Sequence, residues 1–217
     1  FSDQDDFWVP KKLECIVQCF NQYAQKPTLY SSSKIIVNDD KACIGTSDHK
    51  MVSPSLKNSF FENIAGGNTM AFNSKFRNIL MQYNVQGMQI PSHDWWCYIV
   101  AMLHDAEVIL DDRPLIFYRQ HHDSLIGFRV NLYMRLYKII AKVVSQNYLQ
   151  YQQHISEALS QNQKCWINLS KANQVHDFIN FMQSSRLNKL KLFLKNNYKR
   201  QSGVESLILL FLVGLAS

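Results

Sequence analysis

The chain has 217 residues, of which 47% are hydrophobic and 18% charged, so it can build a packed core and is not an intrinsically disordered chain. Glycine and proline occur only 7 and 5 times, which disfavours an all-β architecture with many tight turns. The formal net charge of +6 indicates an anionic partner, and a nucleotide, a membrane surface or a nucleic acid would each satisfy it.

An acidic cluster, Asp3-Gln4-Asp5-Asp6, stands at the start of the sequence. Its three carboxylates repel one another unless a cation or hydrogen bonds neutralise them. Because no cysteine or histidine lies nearby in the sequence, these hard oxygen ligands favour Mg²⁺ or Mn²⁺ over zinc. A solvated acidic turn is the alternative. Since only Phe1-Ser2 precedes the cluster, we expect that an upstream part of the protein is missing.

The first 120 residues mix predicted helices and strands, which indicates the α/β class. A helix is predicted from 11 to 24, with Leu13, Ile16, Val17 and Phe20 at helical spacing. The other predicted elements are a strand at 29–37, a loop at 41–53, a short helix at 55–63, a strand at 69–72, a helix capped by Ser74 that ends at 83, a buried helix at 93–104, and two strands at 108–110 and 115–118.

The five cysteines include no Cys-x-x-Cys pair, so no zinc-ribbon or thioredoxin-like motif is present. Reduced thiols of a cytoplasmic protein are the expected state. Cys15 and Cys19 lie four residues apart on the first predicted helix, a spacing that makes them neighbours on one face.

From about residue 129 onward the periodicity is helical throughout. The stretch 186–200 carries six basic residues and no acid, and 207–215 is almost purely apolar. This apolar run has about half of the roughly 20 residues that a membrane-spanning helix needs. A segment lying on an anionic membrane surface is therefore favoured over a helical hairpin packed on the domain.

Three further motifs place polar groups at the ends of predicted elements. The pair Gly66-Gly67 precedes a strand and lets the backbone approach a ligand closely, unless it is an ordinary turn. Ser92-His93-Asp94-Trp95-Trp96 sets a carboxylate beside two indoles that can bind sugars, with a simple helix cap as the alternative. Tyr118-Arg119-Gln120-His121 ends a strand with a guanidinium suited to phosphate and an imidazole suited to a metal; a surface histidine is the alternative.

The order of these motifs resembles the C-terminal part of bacterial family 2 glycosyltransferases, and within them the rhamnosyltransferase-like group. The resemblance implies a partial GT-A fold, the Rossmann-like fold of nucleotide-diphospho-sugar transferases, over residues 1–128. A helical extension with a basic, membrane-associating end is expected over 129–217. The matching stretches are FSDQDDFWVPKKLE (1–14), AGGNTMAFN (65–73), PSHDWWCYIVA (91–101) and PLIFYRQHHDSLIG (114–127).

The resemblance also implies roles for individual residues. Asp94 corresponds to the base that deprotonates the acceptor hydroxyl. The implied ligands of Mg²⁺ or Mn²⁺ are Asp5 and Asp3, and His121 is added as a metal ligand on the chemistry of its imidazole. Residues expected to bind the donor are Asp3, Gln4, Asp6 and Arg119. Residues expected to bind the acceptor or its sugar are Gly67, Asn68, His93, Trp95 and Trp96.

The implied reaction transfers a sugar, rhamnose in the nearest resemblance, from a nucleotide-diphosphate donor to a saccharide acceptor with inversion, in surface polysaccharide or O-antigen synthesis. A lipid-linked acceptor and a cytoplasmic protein, peripheral on the inner face of the cell membrane, are expected, and nucleic acid is not an expected partner. The chain alone, without the family's first donor-binding strands, is expected to be inactive. The alternatives are an anion- or membrane-binding module, a metal-dependent phosphotransferase or hydrolase, and an inactive fragment.

Overall fold

The computed structural model describes residues 6–47, 53–119 and 149–215, and within these ranges an open five-stranded sheet carries helices on both faces. The predicted mixed α/β class is confirmed. In chain order the elements are β1 (Phe7–Trp8), α1 (Lys12–Gln22), β2 (Thr28–Val37), β3 (Cys43–Ser47), α2 (Leu56–Ser59), a 3₁₀ turn (Gly67–Thr69), β4 (Met70–Phe72), α3 (Ser74–Leu80), α4 (His93–Leu103), β5 (Glu107–Arg119), α5 (Gln150–Gln161), a second 3₁₀ turn (Gln163–Cys165), α6 (Ala172–Gln183), α7 (Arg186–Lys195) and α8 (Gly203–Leu215).

β2 is the central strand of the sheet. It pairs in parallel with β5 on one side, and antiparallel with β4 and then β3 on the other, while β1 pairs antiparallel with the far edge of β5. Leu29 belongs to the core formed with α2 and α4, whereas Tyr30 packs with α1. Successive strand residues point to opposite faces, so both faces of β2 are covered.

The helix α1 was predicted correctly, but a different face of it is buried. Leu13 and Val17 are 58% and 55% exposed. The side chains that face the sheet lie at positions i, i+3, i+4 and i+7, which is the spacing of one helix face. They are Lys12, Cys15, Ile16 and Cys19. The two cysteines are therefore neighbours, as predicted, and both are free thiols.

Several predictions of local structure were wrong. The predicted loop at 41–53 contains β3, which pairs with the end of β2. The predicted helix at 55–63 is only the single turn α2. The cap of α3 is Asn73 and not Ser74, because the Asn73 side chain accepts a hydrogen bond from the Phe76 N–H at 3.0 Å. Asn73 also accepts from the Thr28 N–H at 3.1 Å, which ties this cap to the start of β2.

The two strands predicted at 108–110 and 115–118 are one bent strand, β5. Ser32 pairs with Asp111 and Ser33 with Pro114, so residues 112–113 form a bulge opposite β2. A bulge lets a long strand bend while it keeps the pairing on both sides. The turn chemistry of Asp-Asp-Arg-Pro was recognised, but the continuation of the ladder across it was not.

A partly buried carboxylate, that of Asp111, fastens this bulge to β2. The Arg113 guanidinium donates to both oxygens of Asp111 at 2.6 to 3.0 Å, and the Tyr30 hydroxyl donates to Asp111 Oδ2 at 2.6 Å. Burial alone would raise the pKa of Asp111, but the hydrogen bonds from Arg113 and Tyr30 outweigh burial and hold that pKa below its usual value.

The C-terminal helices pack on the same core as the sheet. Phe60 of the segment after α2 stacks on Phe178 of α6 with ring centroids 4.0 Å apart. Further aromatic contacts join α2, α6, α7 and the α7–α8 connection through Phe61, Phe181, Phe193 and Tyr198. The predicted helical periodicity is confirmed over 149–215. The predicted domain boundary at 128 lies outside the described residues and stays a prediction.

The Asp111 network predicts an acid-dependent loss of stability. The stabilisation from a lowered folded pKa is fully present above the unfolded carboxyl pKa of about 4, and it is lost as pH falls through the folded value. We expect Asp111→Asn to lower the free energy of unfolding by roughly 1–2 kcal/mol at pH 7, allowing for the screening of the half-exposed Arg113. In urea unfolding, this difference should be nearly constant above about pH 4 and should shrink as the pH falls further toward the lowered folded pKa.

The matched control is Asp112→Asn, which removes the neighbouring, exposed carboxylate of the same bulge and should change stability little at any pH. A deficit of Asp111→Asn that stayed constant down to pH 3 would contradict the assignment.

Candidate active site

The 3₁₀ turn Gly67–Thr69 joins the parts of the site that the sequence had placed far apart. Gly67 contacts α4, Asn68 contacts the residues around β1 and α1, and Thr69 contacts β2 through a 2.7 Å hydrogen bond between the hydroxyls of Ser31 and Thr69. This turn therefore holds the predicted Gly-Gly motif against the sheet, and it brings Asp6 and Asp94 to two successive residues of one turn.

Asp94 lies in the first turn of α4 with a fixed carboxylate. The Gly67 N–H donates to Asp94 Oδ2 at 2.8 Å, and the Trp95 N–H donates to Asp94 Oδ1 at 2.9 Å. A helix N-terminus favours a negative charge because its first N–H groups lack intrahelical acceptors. Ser92 makes no side-chain cap bond. Each oxygen of Asp94 thus accepts one backbone N–H, and together these two bonds fix the orientation of the carboxylate. Each oxygen can still accept a second hydrogen bond from a substrate hydroxyl.

Gly67 is needed for this arrangement because of space. A Cβ atom on Gly67 would lie 3.0 Å from His93 Nε2 and 3.4 Å from both the Cβ and the Oδ2 of Asp94. The exposed His93 ring therefore covers Gly67. A Cβ on Gly66 would meet nothing closer than 3.5 Å, so only the second glycine of the pair is sterically constrained.

Asp6, the described member of the acidic cluster, is held on the other side of the turn. The Asn68 side-chain amide donates to Asp6 Oδ2 at 2.8 Å. The backbone carbonyl of Asn68 accepts from Lys12 Nζ at 3.1 Å, and that ammonium lies 4.1 Å from the centre of the Trp8 ring. Asn68 was predicted to bind sugar, and in the structure its amide positions an acid. Lys12 was not recognised from the sequence.

The two indoles of the His-Asp-Trp-Trp motif have different environments. Trp95 is half-buried, and its indole N–H donates to the Ser59 carbonyl at 2.6 Å. Trp96 is 4% exposed and packs edge-on against Tyr83 in the core. The Trp96 ring is therefore not accessible to a sugar in this structure, whereas sugar binding by Trp95 stays a prediction.

Two cations, Arg119 and Lys34, lie over aromatic rings of neighbouring strands of the sheet. The Arg119 guanidinium is 5.3 Å from the Phe7 ring, and its Nε is buried with no hydrogen-bond partner among the described residues. A buried guanidinium N–H without an acceptor fits an anionic ligand. Lys34, in β2, lies 4.4 Å from the Tyr118 ring and 3.9 Å from a Cβ placed on Gly66. Nothing in the sequence around Lys34 distinguished it from a surface lysine.

The metal prediction concerns residues that the structure leaves undescribed. Asp3, Gln4, Asp5 and His121 fall outside the described ranges. Within those ranges no group of three or more His, Cys, Asp or Glu side chains could hold a metal ion. The carboxylates of the cluster are hard ligands that suit Mg²⁺ or Mn²⁺ chemically, and the metal site stays a prediction.

An open α/β sheet with an oriented carboxylate, an accessible indole and two cations near its end is consistent with a Rossmann-like glycosyltransferase. The chain is similar to the dTDP-rhamnosyl transferase RfbG of Shigella flexneri, with 25% identity over 171 residues, which cover 74% of this chain and 55% of that protein. The chain thus spans about half the length of this relative. The similarity supports a glycosyltransferase-like relationship. No family model and no solved structure matches the chain.

The contacts of the glycine pair predict opposite outcomes for two neighbouring substitutions. Gly67→Ala crowds His93 and Asp94, and we expect it to lower the free energy of unfolding by roughly 1–2 kcal/mol. Gly66→Ala is the matched control and should be nearly neutral or slightly stabilising, because Ala restricts the unfolded chain. Urea unfolding of both variants measures the difference.

Removing the imidazole should relieve the crowding. In a His93→Ala background, Gly67→Ala should cost clearly less than it does alone. An equal cost in both backgrounds would show that His93 is not what limits position 67.

Proposed function

We propose that the protein is a family 2 glycosyltransferase with a GT-A fold, which transfers a sugar from a nucleotide-diphosphate donor to a saccharide acceptor in surface polysaccharide synthesis. The observation that carries this proposal is Asp94, a carboxylate fixed by two N–H donors beside the half-buried Trp95. The relative's printed name makes a rhamnosyl donor the first to test. Asp6, which the same turn holds, belongs to the acidic cluster for which a divalent cation is expected, and such a cation would suit a diphosphate donor.

In the proposed reaction, Asp94 accepts the proton of the acceptor hydroxyl as a general base. The hydroxyl oxygen then forms a bond to the anomeric carbon while the bond from that carbon to the diphosphate oxygen breaks. Attack occurs on the face opposite the leaving group, so the configuration is inverted. The Gly67 and Trp95 N–H groups hold the carboxylate in one orientation, which keeps the proton-accepting oxygen in place through the step.

Negative charge develops on the leaving nucleotide diphosphate, and cations must stabilise it. Arg119 has the unsatisfied buried N–H for this task, and Lys34 lies close to the same glycine turn. Gln4 and Asp6 complete the donor side of the proposal. Asp3, Asp5 and His121 would hold Mg²⁺ or Mn²⁺, which when bound neutralises diphosphate charge.

The acceptor side of the proposal uses the surface around Gly67. Trp95 supplies an apolar face beside Asp94, and aromatic faces bind the C–H surfaces of sugars. His93 is exposed at the edge of this surface, where its ring nitrogen can hydrogen-bond a sugar hydroxyl.

Asp94→Asn tests the base. The amide cannot accept a proton, so we expect sugar transfer by the full-length protein to fall by at least about 100-fold. Nucleotide binding, measured by calorimetry with Mg²⁺ present, should stay largely intact, because Asp94 is not placed on the donor phosphates. The matched control is Asp177→Asn, an exposed aspartate on α6.

Near-normal turnover of Asp94→Asn would refute the base assignment. Product analysis separates the rival classes: release of free sugar or phosphate without acceptor-linked product would favour a hydrolase or phosphotransferase.

We propose in addition that the helical hairpin α7–α8, residues 186–215, attaches the protein to an anionic membrane surface. Of the described residues, five large apolar side chains on this hairpin are 60% exposed or more: Leu187, Leu194, Val204, Leu207 and Phe211. Positions 204, 207 and 211 follow one helix face. Six basic residues lie in 186–200. Arg200 pairs with Glu62 and Glu205. Lys191, Lys195 and Lys199, however, are exposed, so the hairpin complements anionic headgroups, whereas a second copy would bring like charges together.

No described helix has the length and apolarity needed to cross a membrane. Attachment by α7–α8 would instead lay the hairpin in the headgroup layer. This position on the inner face of the cell membrane would present the site to a lipid-linked acceptor.

Vesicle binding tests the hairpin. Full-length protein should co-sediment with phosphatidylglycerol vesicles, less so as salt rises, because exposed charges are screened. Leu207→Gln/Phe211→Gln should lose most of this binding. Met81→Gln is the matched control, since Met81 is 70% exposed at the end of α3. Equal binding to neutral vesicles, or concentration-dependent dimers without vesicle binding, would contradict membrane attachment.

A further inference from the structure

Lys12 is a buried lysine whose contacts link both halves of the site. Its residue is only 2% exposed, and an ammonium taken out of water needs strong polar partners. Lys12 Nζ donates to the Asn68 carbonyl at 3.1 Å and lies over the Trp8 ring at 4.1 Å. Its stem lies on the buried face of α1 beside Cys15 and Ile16. Burial on this scale marks a specific role for the charge.

Asn68 connects Lys12 to Asp6, the described member of the acidic cluster. The residue is 6% exposed and uses both of its polar ends: the backbone carbonyl accepts from Lys12, and the side-chain amide donates to Asp6 Oδ2 at 2.8 Å. The Asp6 carboxylate is thus held by a residue that α1 itself fixes.

The same turn also fixes Asp94. Gly67, the residue before Asn68, donates its N–H to Asp94. The Ser31–Thr69 hydrogen bond anchors the other end of the turn to β2. Gly67 and Thr69 thus keep their own anchors when Lys12 is changed, and the contact that depends most directly on Lys12 is the one between Asn68 and Asp6.

We propose that Lys12 is a positioning residue that, acting through Asn68, fixes Asp6 relative to Asp94 and so sets the donor side of the site. This inference rests on the proposed sugar transfer. Lys12 contacts no reacting atom. Its ammonium orients the turn, and the side-chain amide of Asn68 in that turn orients Asp6. The alternative role is structural, in which the lysine only fills the space between Trp8 and the turn.

Two variants separate these roles. Lys12→Met keeps an unbranched stem of similar length and removes the charge. Asn68→Ala removes the amide that holds Asp6 and leaves the backbone carbonyl for Lys12. Loss of a side chain that orients another group in a site typically costs 10- to 100-fold. We expect each variant of the full-length protein to raise the donor KM by roughly tenfold or more, with the acceptor KM unchanged.

The double variant gives the decisive measurement. If Lys12 acts through Asn68, the double variant should have nearly the donor KM of the worse single variant, because the second change removes a contact already lost. The adjacent exposed Lys11→Met serves as the matched control and should behave as the parent protein. Two outcomes would overturn the proposal and indicate a structural role. In one, the increases in donor KM of the two single variants multiply in the double variant; in the other, the donor KM and the acceptor KM rise equally.

Lys12→Arg provides a second test that keeps the charge. A longer, planar cation cannot replace the ammonium at the same carbonyl without moving the turn, so the donor KM should rise even in a variant with parental unfolding stability. A parental donor KM in Lys12→Arg and Lys12→Met would overturn the inference.

The parent protein separates failure of this inference from failure of the proposed function. If the parent transfers sugar and only the variants behave as described, both stand. If the parent transfers sugar but the variants match it, only the role of Lys12 is lost. A parent that binds no nucleotide-sugar overturns the proposed function, and the role of Lys12 with it.

Discussion

The hydrogen bond from the Gly67 amide to the Asp94 carboxylate is the contact on which the arrangement of the site depends. It requires a residue without a Cβ atom at position 67, because His93 and Asp94 occupy the space that a side chain would need. It also requires that α4 begin next to the 3₁₀ turn, so that Asp94 in its first turn meets the Gly67 amide. Since both oxygens of Asp94 accept backbone N–H groups, its orientation is set by the main chain of two elements and not by mobile side chains.

The rigidity of that turn comes from the sheet. β2 is covered on both faces and paired on both edges, so Ser31 is a fixed point to which Thr69 is bonded. The buried Lys12 of α1 donates to the carbonyl of Asn68, the residue before Thr69. A site built on short polar contacts to a central strand keeps its geometry because the strand cannot move without breaking the core.

Much of this architecture could be predicted from local patterns, and the failures have physical causes. The strand 29–37 and the buried helix from His93 followed from periodicity. Gly67 and Asp94 were each singled out by their motifs, but the hydrogen bond that joins them was not predicted. The buried face of α1 was missed because hydrophobic patterning ranks Leu13 and Val17 above Cys15, Cys19 and Lys12. Lys12 and Lys34 were missed because only tertiary structure shows that a lysine stem is buried and which oxygen its ammonium meets.

The charge of the chain illustrates the same limit. The net charge of +6 suggested one anionic partner, but the stretch 186–200 contains six basic residues and no acid, which leaves 17 basic and 17 acidic residues elsewhere. The excess of +6 therefore equals the charge of α7 and its connection to α8, whereas residues 1–119, which hold the candidate site, contain 11 basic and 13 acidic residues. An anion bound at the candidate site would therefore meet single cations such as Arg119, whose buried Nε has no hydrogen-bond partner among the described residues and would act at short range.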